Sequence, residues 1–173
     1  MMSEACKIKD KNRFNPYKNE ITNKEEISTI TSNNFEQNVF KYLFDEYSGA
    51  KNRIYKLKNC RCDGLLELNE KLILLEMKGG INGQWDRFAI CQLIEGKYFL
   101  KEAWNYDVEE GWIVFGEFIK SNWTRNKNLN PARYPLETIN NINETLSGLL
   151  KIRLFQHKNN ELIELVTTRE ESN

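Results

Sequence analysis

Histidine is almost missing from this chain of 173 residues: His157 stands alone. One histidine excludes a multi-histidine metal centre and leaves any histidine general-base scheme a single candidate, in Gln156-His157-Lys158, which reads as surface. Cysteine is also sparse. Cys6, Cys60, Cys62 and Cys91 include no Cys-x-x-Cys pair, so they read as buried or half-buried free thiols of a reducing compartment. There is no signal peptide and no apolar run of membrane-spanning length, which implies an intracellular, cytoplasmic protein without a membrane partner. Net charge is absent too, with 25 Lys+Arg against 25 Asp+Glu. A nucleic-acid surface, if the chain has one, must therefore come from segregated charge.

What remains is ordinary globular composition, 40% hydrophobic and 29% charged, in a length that suits one domain. Residues 1–30 are rich in Lys, Asn, Glu and Thr and read as a flexible or loosely docked polar arm. Residues 31–173 read as a single domain without internal repeats.

The most informative segment is Asp63 to Lys78. Asp63–Leu68 and Lys71–Lys78 read as strands broken at Asn69-Glu70. With a two-residue loop, Leu68 faces Lys71, and counting back along both strands sets Asp63 opposite Glu76. Glu76 and Lys78 are two residues apart and share a strand face. Two opposed carboxylates repel each other unless a cation lies between them, and hard oxygen ligands suit Mg²⁺ or Mn²⁺. Lys78 would then orient a water or offset charge developing on a phosphate. Glu95-Gly96-Lys97 repeats the Glu-x-Lys spacing, but it lies in a helical pattern and contains a glycine.

A helix is expected over Asn34–Tyr47, with Glu36 on the face of Phe40, Leu43 and Tyr47. Glu36 supports two readings: the acid of a capping box with Asn33 as N-cap, or a member of the metal site. A second helix is expected from Gln84 to Lys101, with Trp85, Phe88, Ala89, Gln92 and Leu93 as one stripe. Gln92 is either a site residue or a core-edge glutamine bonded to backbone, and Gln84 is its rival.

Asp63, Glu76-x-Lys78 and the preceding helix with its acid resemble the PD-(D/E)XK nuclease superfamily over roughly residues 33–119. Cys62-Asp63 stands where many members have Pro-Asp. The resemblance implies a restriction-endonuclease-like α/β core, a mixed sheet flanked by helices in the order α-β-β-β-α-β, here followed by a C-terminal helix and hairpin. It implies a Mg²⁺- or Mn²⁺-dependent deoxyribonuclease in which Asp63, Glu76, the Met77 carbonyl and Glu36 serve the metal, Lys78 assists catalysis, and Gln92 contacts substrate or orients the lysine. Some members hold an iron–sulfur cluster on four cysteines, but the spacing here differs.

DNA is the expected partner. Lys51, Arg53, Lys56, Lys58 and Arg61 lead into Asp63 without an acid between them, and Lys120, Arg125, Lys127 and Arg133 form a second basic run. Lys56, Lys58, Arg61, Arg125 and Lys127 are the expected phosphate contacts. Acids gather instead in Glu102, Asp107, Glu109 and Glu110. The small chain favours structure-directed cutting of junctions, flaps or ends, and a homodimer would give paired cuts. A compact restriction endonuclease, an RNA substrate, and a non-cleaving nucleic-acid-binding or scaffold subunit are the alternatives.

Further strands are expected at Asn52–Lys58 and Trp112–Phe118, the latter placed beside the hairpin by a right-handed parallel crossover. Gly79-Gly80 with Asn82-Gly83 reads as a flexible break after Lys78, and Ser121–Tyr134 as a polar loop. A helix from Pro135 carries Leu136, Ile139, Ile142, Leu146 and Leu149, followed by the hairpin of Lys151–Phe155 and Leu162–Thr167.

Overall fold

Two tight turns organise the sheet. Asn69 and Glu70 take φ of 48° and 71°, and Asn159 and Asn160 take 54° and 59°. Positive φ at both central residues is the type I′ form of a two-residue hairpin turn, whose twist matches that of the flanking strands. The first turn joins β2 (Gly64–Leu68) to β3 (Lys71–Gly80), and the second joins β5 (Lys151–Lys158) to β6 (Glu161–Glu164). The computed structural model describes residues 20–58, 60–80, 85–117, 140–144 and 149–165.

With β1 (Asn52–Lys56) and β4 (Val108–Glu117), the strands form one mixed six-stranded sheet in the order β1-β2-β3-β4-β5-β6. The central strands β3, β4 and β5 are parallel, and the outer pairings are antiparallel. Helix α3 (Trp85–Trp104) connects β3 to β4, as a parallel crossover demands. Residues 140–144 are helical between β4 and β5. Asn143 both donates to the Ile152 carbonyl at 2.9 Å and accepts from its N–H at 3.0 Å, which anchors the start of β5.

Side-chain alternation gives the sheet two apolar faces. Leu74, Ile113 and Phe115 pack with Ala89, Leu93 and Leu100 of α3, and Ile142 joins them. Ile73, Leu75, Met77, Trp112 and Val114 pack on the other face with Val39, Phe40 and Leu43 of α2 (Asn34–Tyr47). Each such side chain, fully buried, contributes on the order of 2 kcal/mol before chain entropy is subtracted. The structure is thus α/β, a mixed open sheet flanked by helices.

The α2 boundaries match the expectation from sequence, and so does the two-residue turn. Several segments differ. Part of the expected polar arm is docked: the Ile21 N–H donates to the Ile54 carbonyl at 2.8 Å, and Ile21 and Ile27 are buried, Ile27 in the short helix α1 (Ile27–Ile30). Ile21 and Ile27 join the core under α2, and pairs from Lys24 to Asp45 and Arg53 to Glu20 tie the segment further. Gly79 and Gly80 are not a break, since β3 continues through Gly80, opposite Glu117. At Gly79 an added Cβ would meet Phe35 at 3.2 Å, so the glycine makes room for α2 rather than for a turn. Strand β4 begins four residues before the expected Trp112, because Glu110 is buried and paired. Phe88, expected within the core stripe, is exposed. His157, expected at the surface, is half-buried with edge contacts to Phe35 and Tyr42, and burial lowers its pKa. Asn82-Gly83, the Ser121–Tyr134 loop and Pro135 lie outside the described residues, as do Leu136, Ile139 and Leu146 of the expected helix.

Candidate active site

The candidate residues meet where β1, β2 and β3 end beside α3. Asp63 precedes β2 by one position, and its backbone is held on both sides. Its N–H donates to the Leu75 carbonyl at 3.0 Å, and its carbonyl accepts from the Leu57 N–H at 3.0 Å. The β2–β3 register ends at Gly64↔Leu75, which sets Asp63 beside Glu76 as the turn geometry implies. The Met77 N–H donates to Asp63 Oδ2 at 2.7 Å, so the side chain is fixed as well.

Glu76 and Lys78 alternate with the α2-facing Leu75 and Met77 and so point toward α3. Lys78 donates to Glu76 Oε1 and, at 3.0 Å, to Gln92 Oε1. Gln92 Nε2 in turn donates to the Arg61 carbonyl at 3.0 Å. Gln92 is therefore a strut between the lysine and the segment that leads into Asp63. Its rival Gln84 lies outside the described residues.

Glu76 is 1% exposed, and its Oε2 is buried with no hydrogen-bond partner among the described residues. A buried carboxylate oxygen without a partner is costly unless the group is protonated or a cation is bound. Burial and then the charge of Asp63 push the Glu76 carboxyl up to about 8, despite the hydrogen bond from Lys78. Burial raises Asp63 too, against the Met77 N–H and the charge of Lys56. Both acids are held in a site that disfavours their charge.

Glu36 follows neither sequence reading completely. Asn33 caps α2, accepting from the Phe35 N–H at 3.0 Å and the Glu36 N–H at 3.3 Å. The reciprocal half of a capping box is absent, since the Asn33 N–H donates to Thr31 Oγ1 at 3.3 Å. Glu36 Oε2 accepts instead from Thr31 Oγ1 at 2.7 Å and from Lys56 Nζ at 2.8 Å. Lys56 Nζ also stands 3.7 Å from Asp63 Oδ1. A lysine thus bridges the helix acid to the strand acid.

That position changes what Lys56 does. Its side chain is 14% exposed and is neutralised from two sides, so it is an internal counter-ion rather than a surface contact for phosphate. Sequence reasoning missed this, although Lys56 follows buried Ile54 on the α2 face of β1 at strand spacing. Lys58 and Arg61 are exposed as expected, with Arg61 paired to Glu95 at 3.1 Å. Arg125 and Lys127 lie outside the described residues. The competing Glu95-Gly96-Lys97 is resolved as scaffold: Lys97 donates to the Val108 carbonyl at 2.8 Å and to the Leu149 carbonyl.

Cysteine packing around Gln92 was not foreseen. Cys62 is buried and its Sγ donates to the Gln92 carbonyl at 3.0 Å. The hydrogen bond shared with Cys62 brings the Cys60 thiol down to about 7 against the effect of burial, while that bond and burial push Cys62 up.

Among the described residues, no three His, Cys, Asp or Glu side chains form a group that could hold a metal. Asp63 and Glu76 are the pair on offer, and Glu36 is engaged by Lys56. Two carboxylates suit Mg²⁺ or Mn²⁺, which complete their shells with water, a backbone carbonyl such as that of Met77, and substrate oxygens. The unpartnered Glu76 Oε2 fits such a cation. No helix among the described residues is long and apolar enough to cross a membrane. Comparisons with protein-family models, curated proteins and solved structures each find no match.

Proposed function

We propose that this chain is a Mg²⁺- or Mn²⁺-dependent nuclease of the PD-(D/E)XK, restriction-endonuclease-like kind, acting on DNA phosphodiesters. The observation that carries the reading is the juxtaposition of Asp63, Glu76 and Lys78 at one strand end, with a buried Glu76 oxygen that lacks a partner. An acid pair held at this cost to stability reads as a site kept for a ligand.

In this mechanism Asp63 and Glu76 would hold the cation, which would supply Lewis acidity when bound. Asp63 is kept in place by the Met77 N–H, so it is aimed before substrate arrives. Lys78, steadied by Gln92, orients the water or balances charge as it builds on the phosphate. Glu36 acts one step removed: it draws Lys56 to its own side and so tempers how far that lysine neutralises Asp63. Exposed Lys58 would meet phosphates without reading bases, and Arg61 would do so on leaving Glu95.

Plasmid, linear duplex, single-stranded, flap and four-way-junction DNA, with a matched RNA strand, should each be incubated with Mg²⁺, Mn²⁺ or chelator. The expected result is cutting that requires the cation and is strongest on a branched or end-bearing DNA. Salt-sensitive binding without cation-dependent turnover would instead identify a non-cleaving binding subunit.

A further inference from the structure

The geometry points to Cys60 and Cys62 as a dithiol modification site that hydroperoxides close to a disulfide, a change that withdraws Cys62 from Gln92. Three observations meet here. The two sulfurs converge on one point of α3, at Gly96. Gly96 of α3 is what lets the Cys62 sulfur lie against the helix, since a Cβ there would meet Cys62 Sγ at 2.5 Å, while Cys60 Sγ stands 3.6 Å from the same point in ordinary contact. Finally, Cys60 is half-buried at the edge of a cavity of about 300 Å³ lined also by Arg61, Glu95, Gly96 and Phe99, which a small oxidant can enter.

The two sulfurs have different surroundings and therefore different roles. Cys60, at the cavity, is the attacking thiol, and buried Cys62 is the resolving one. In the first step the Cys60 sulfur takes an oxygen from the hydroperoxide. The O–O bond breaks, the released alkoxide or hydroxide takes up the thiol proton, and the sulfur is oxidised by two electrons to a sulfenic acid. The Cys62 sulfur then attacks Cys60, the S–S bond forms, and the S–O bond breaks. Hydroxide leaves with the Cys62 proton as water. Closing a disulfide between residues two apart requires the Cys62 side chain to turn away from α3.

Turning away has a consequence for the site. Cys62 loses its bond to the Gln92 carbonyl, and Gln92 is the residue that holds both Lys78 and the Arg61 carbonyl. Cys62 also directly precedes Asp63. Closure of the disulfide is expected to weaken divalent-cation binding about tenfold, the usual scale for disturbing groups that support a metal ligand. This second effect rests on the nuclease reading, whereas formation of the bond does not.

The test uses full-length protein with Cys6→Ser and Cys91→Ser, so that only the two thiols in question remain. Trypsin cuts after Arg61, between them, and separates their peptides unless a disulfide joins them. After hydrogen peroxide, joined peptides that dithiothreitol releases are expected. Separate peptides with Cys60 as sulfinic acid, or a disulfide between two chains, would overturn the proposal. Mn²⁺ titration of both forms then reads the coupling. Equal affinity would overturn the link to Gln92, and no binding in either form would overturn the metal-site reading while leaving the disulfide standing.

Discussion

The Met77 N–H donates to Asp63 Oδ2 at 2.7 Å, tying an acid from one strand end to the strand that carries Glu76 and Lys78. This single bond converts a sequence separation of thirteen residues, from Asp63 to Glu76, into a rigid local arrangement. It also separates two effects of mutating Asp63. Asp63→Asn keeps an oxygen acceptor for Met77 and loses the charge. Because burial raises the Asp63 carboxyl and its charge raises Glu76, the expected outcome in chelator is a folded protein with an equal or higher melting temperature, and cleavage reduced at least about a hundredfold. Circular dichroism melts and initial rates on the best DNA substrate measure the two.

Glu76→Gln should stabilise the protein in chelator at pH 8. The folded carboxyl titrates near 8, above its ordinary value of 4.5, so the folded state holds the proton more tightly than the unfolded chain. Wild-type stability from this group is complete below about pH 4.5 and declines as pH rises toward 8. The glutamine removes that decline, a gain of a few kcal/mol at pH 8 that shrinks to under about 1 kcal/mol at pH 5. Paired urea melts at the two pH values check it. Equal effects at both would contradict the account.

Lys56, the last residue of β1, and Lys58, two residues beyond it, should behave oppositely. Lys56→Ala leaves Glu36 and Asp63 partly buried with a lost cation and is expected to cost about 1–3 kcal/mol of stability. Lys58→Ala leaves stability unchanged but weakens DNA binding and reduces the salt slope by about one ion. Filter binding across a salt series distinguishes a phosphate contact from an internal counter-ion.

At the other end of the sheet, Glu110 accepts from Lys71 at 2.6 Å, Trp112 at 2.6 Å and Arg153 at 2.9 Å. Burial works to raise this carboxyl, but those three bonds outweigh it and bring it down to about 2. Its contribution is present above the unfolded value of 4.5 and is lost as pH falls from there toward 2. Acid titration should show this loss, on the order of 2 kcal/mol, in the wild type but not in Glu110→Gln.

These residues also show which parts of the molecule a sequence reveals. Asn69-Glu70 is a local signal, and a two-residue turn fixes the register of everything before and after it, so Asp63 beside Glu76 was readable. The α2 helix was readable because Asn33 and a periodic apolar face mark it. Glu110 was not. Its partners Lys71 and Arg153 come from the flanking strands β3 and β5, 39 and 43 residues away in sequence, and without them an acid at a strand start reads as solvated. Lys56 escaped for the same reason: its charge belongs to a basic run in sequence and to Glu36 in space. Gly79 and Gly80 mislead in the other direction, since glycine that admits Phe35 is indistinguishable in sequence from glycine that turns the chain.

The central claim is that Asp63 and Glu76 share one divalent cation, and Mn²⁺ titration of the purified protein by calorimetry measures it most directly. The account predicts a single site in the wild type that is lost in both Asp63→Asn and Glu76→Gln while the fold is retained. Undiminished Mn²⁺ binding in both variants, or none in the wild type, would contradict it.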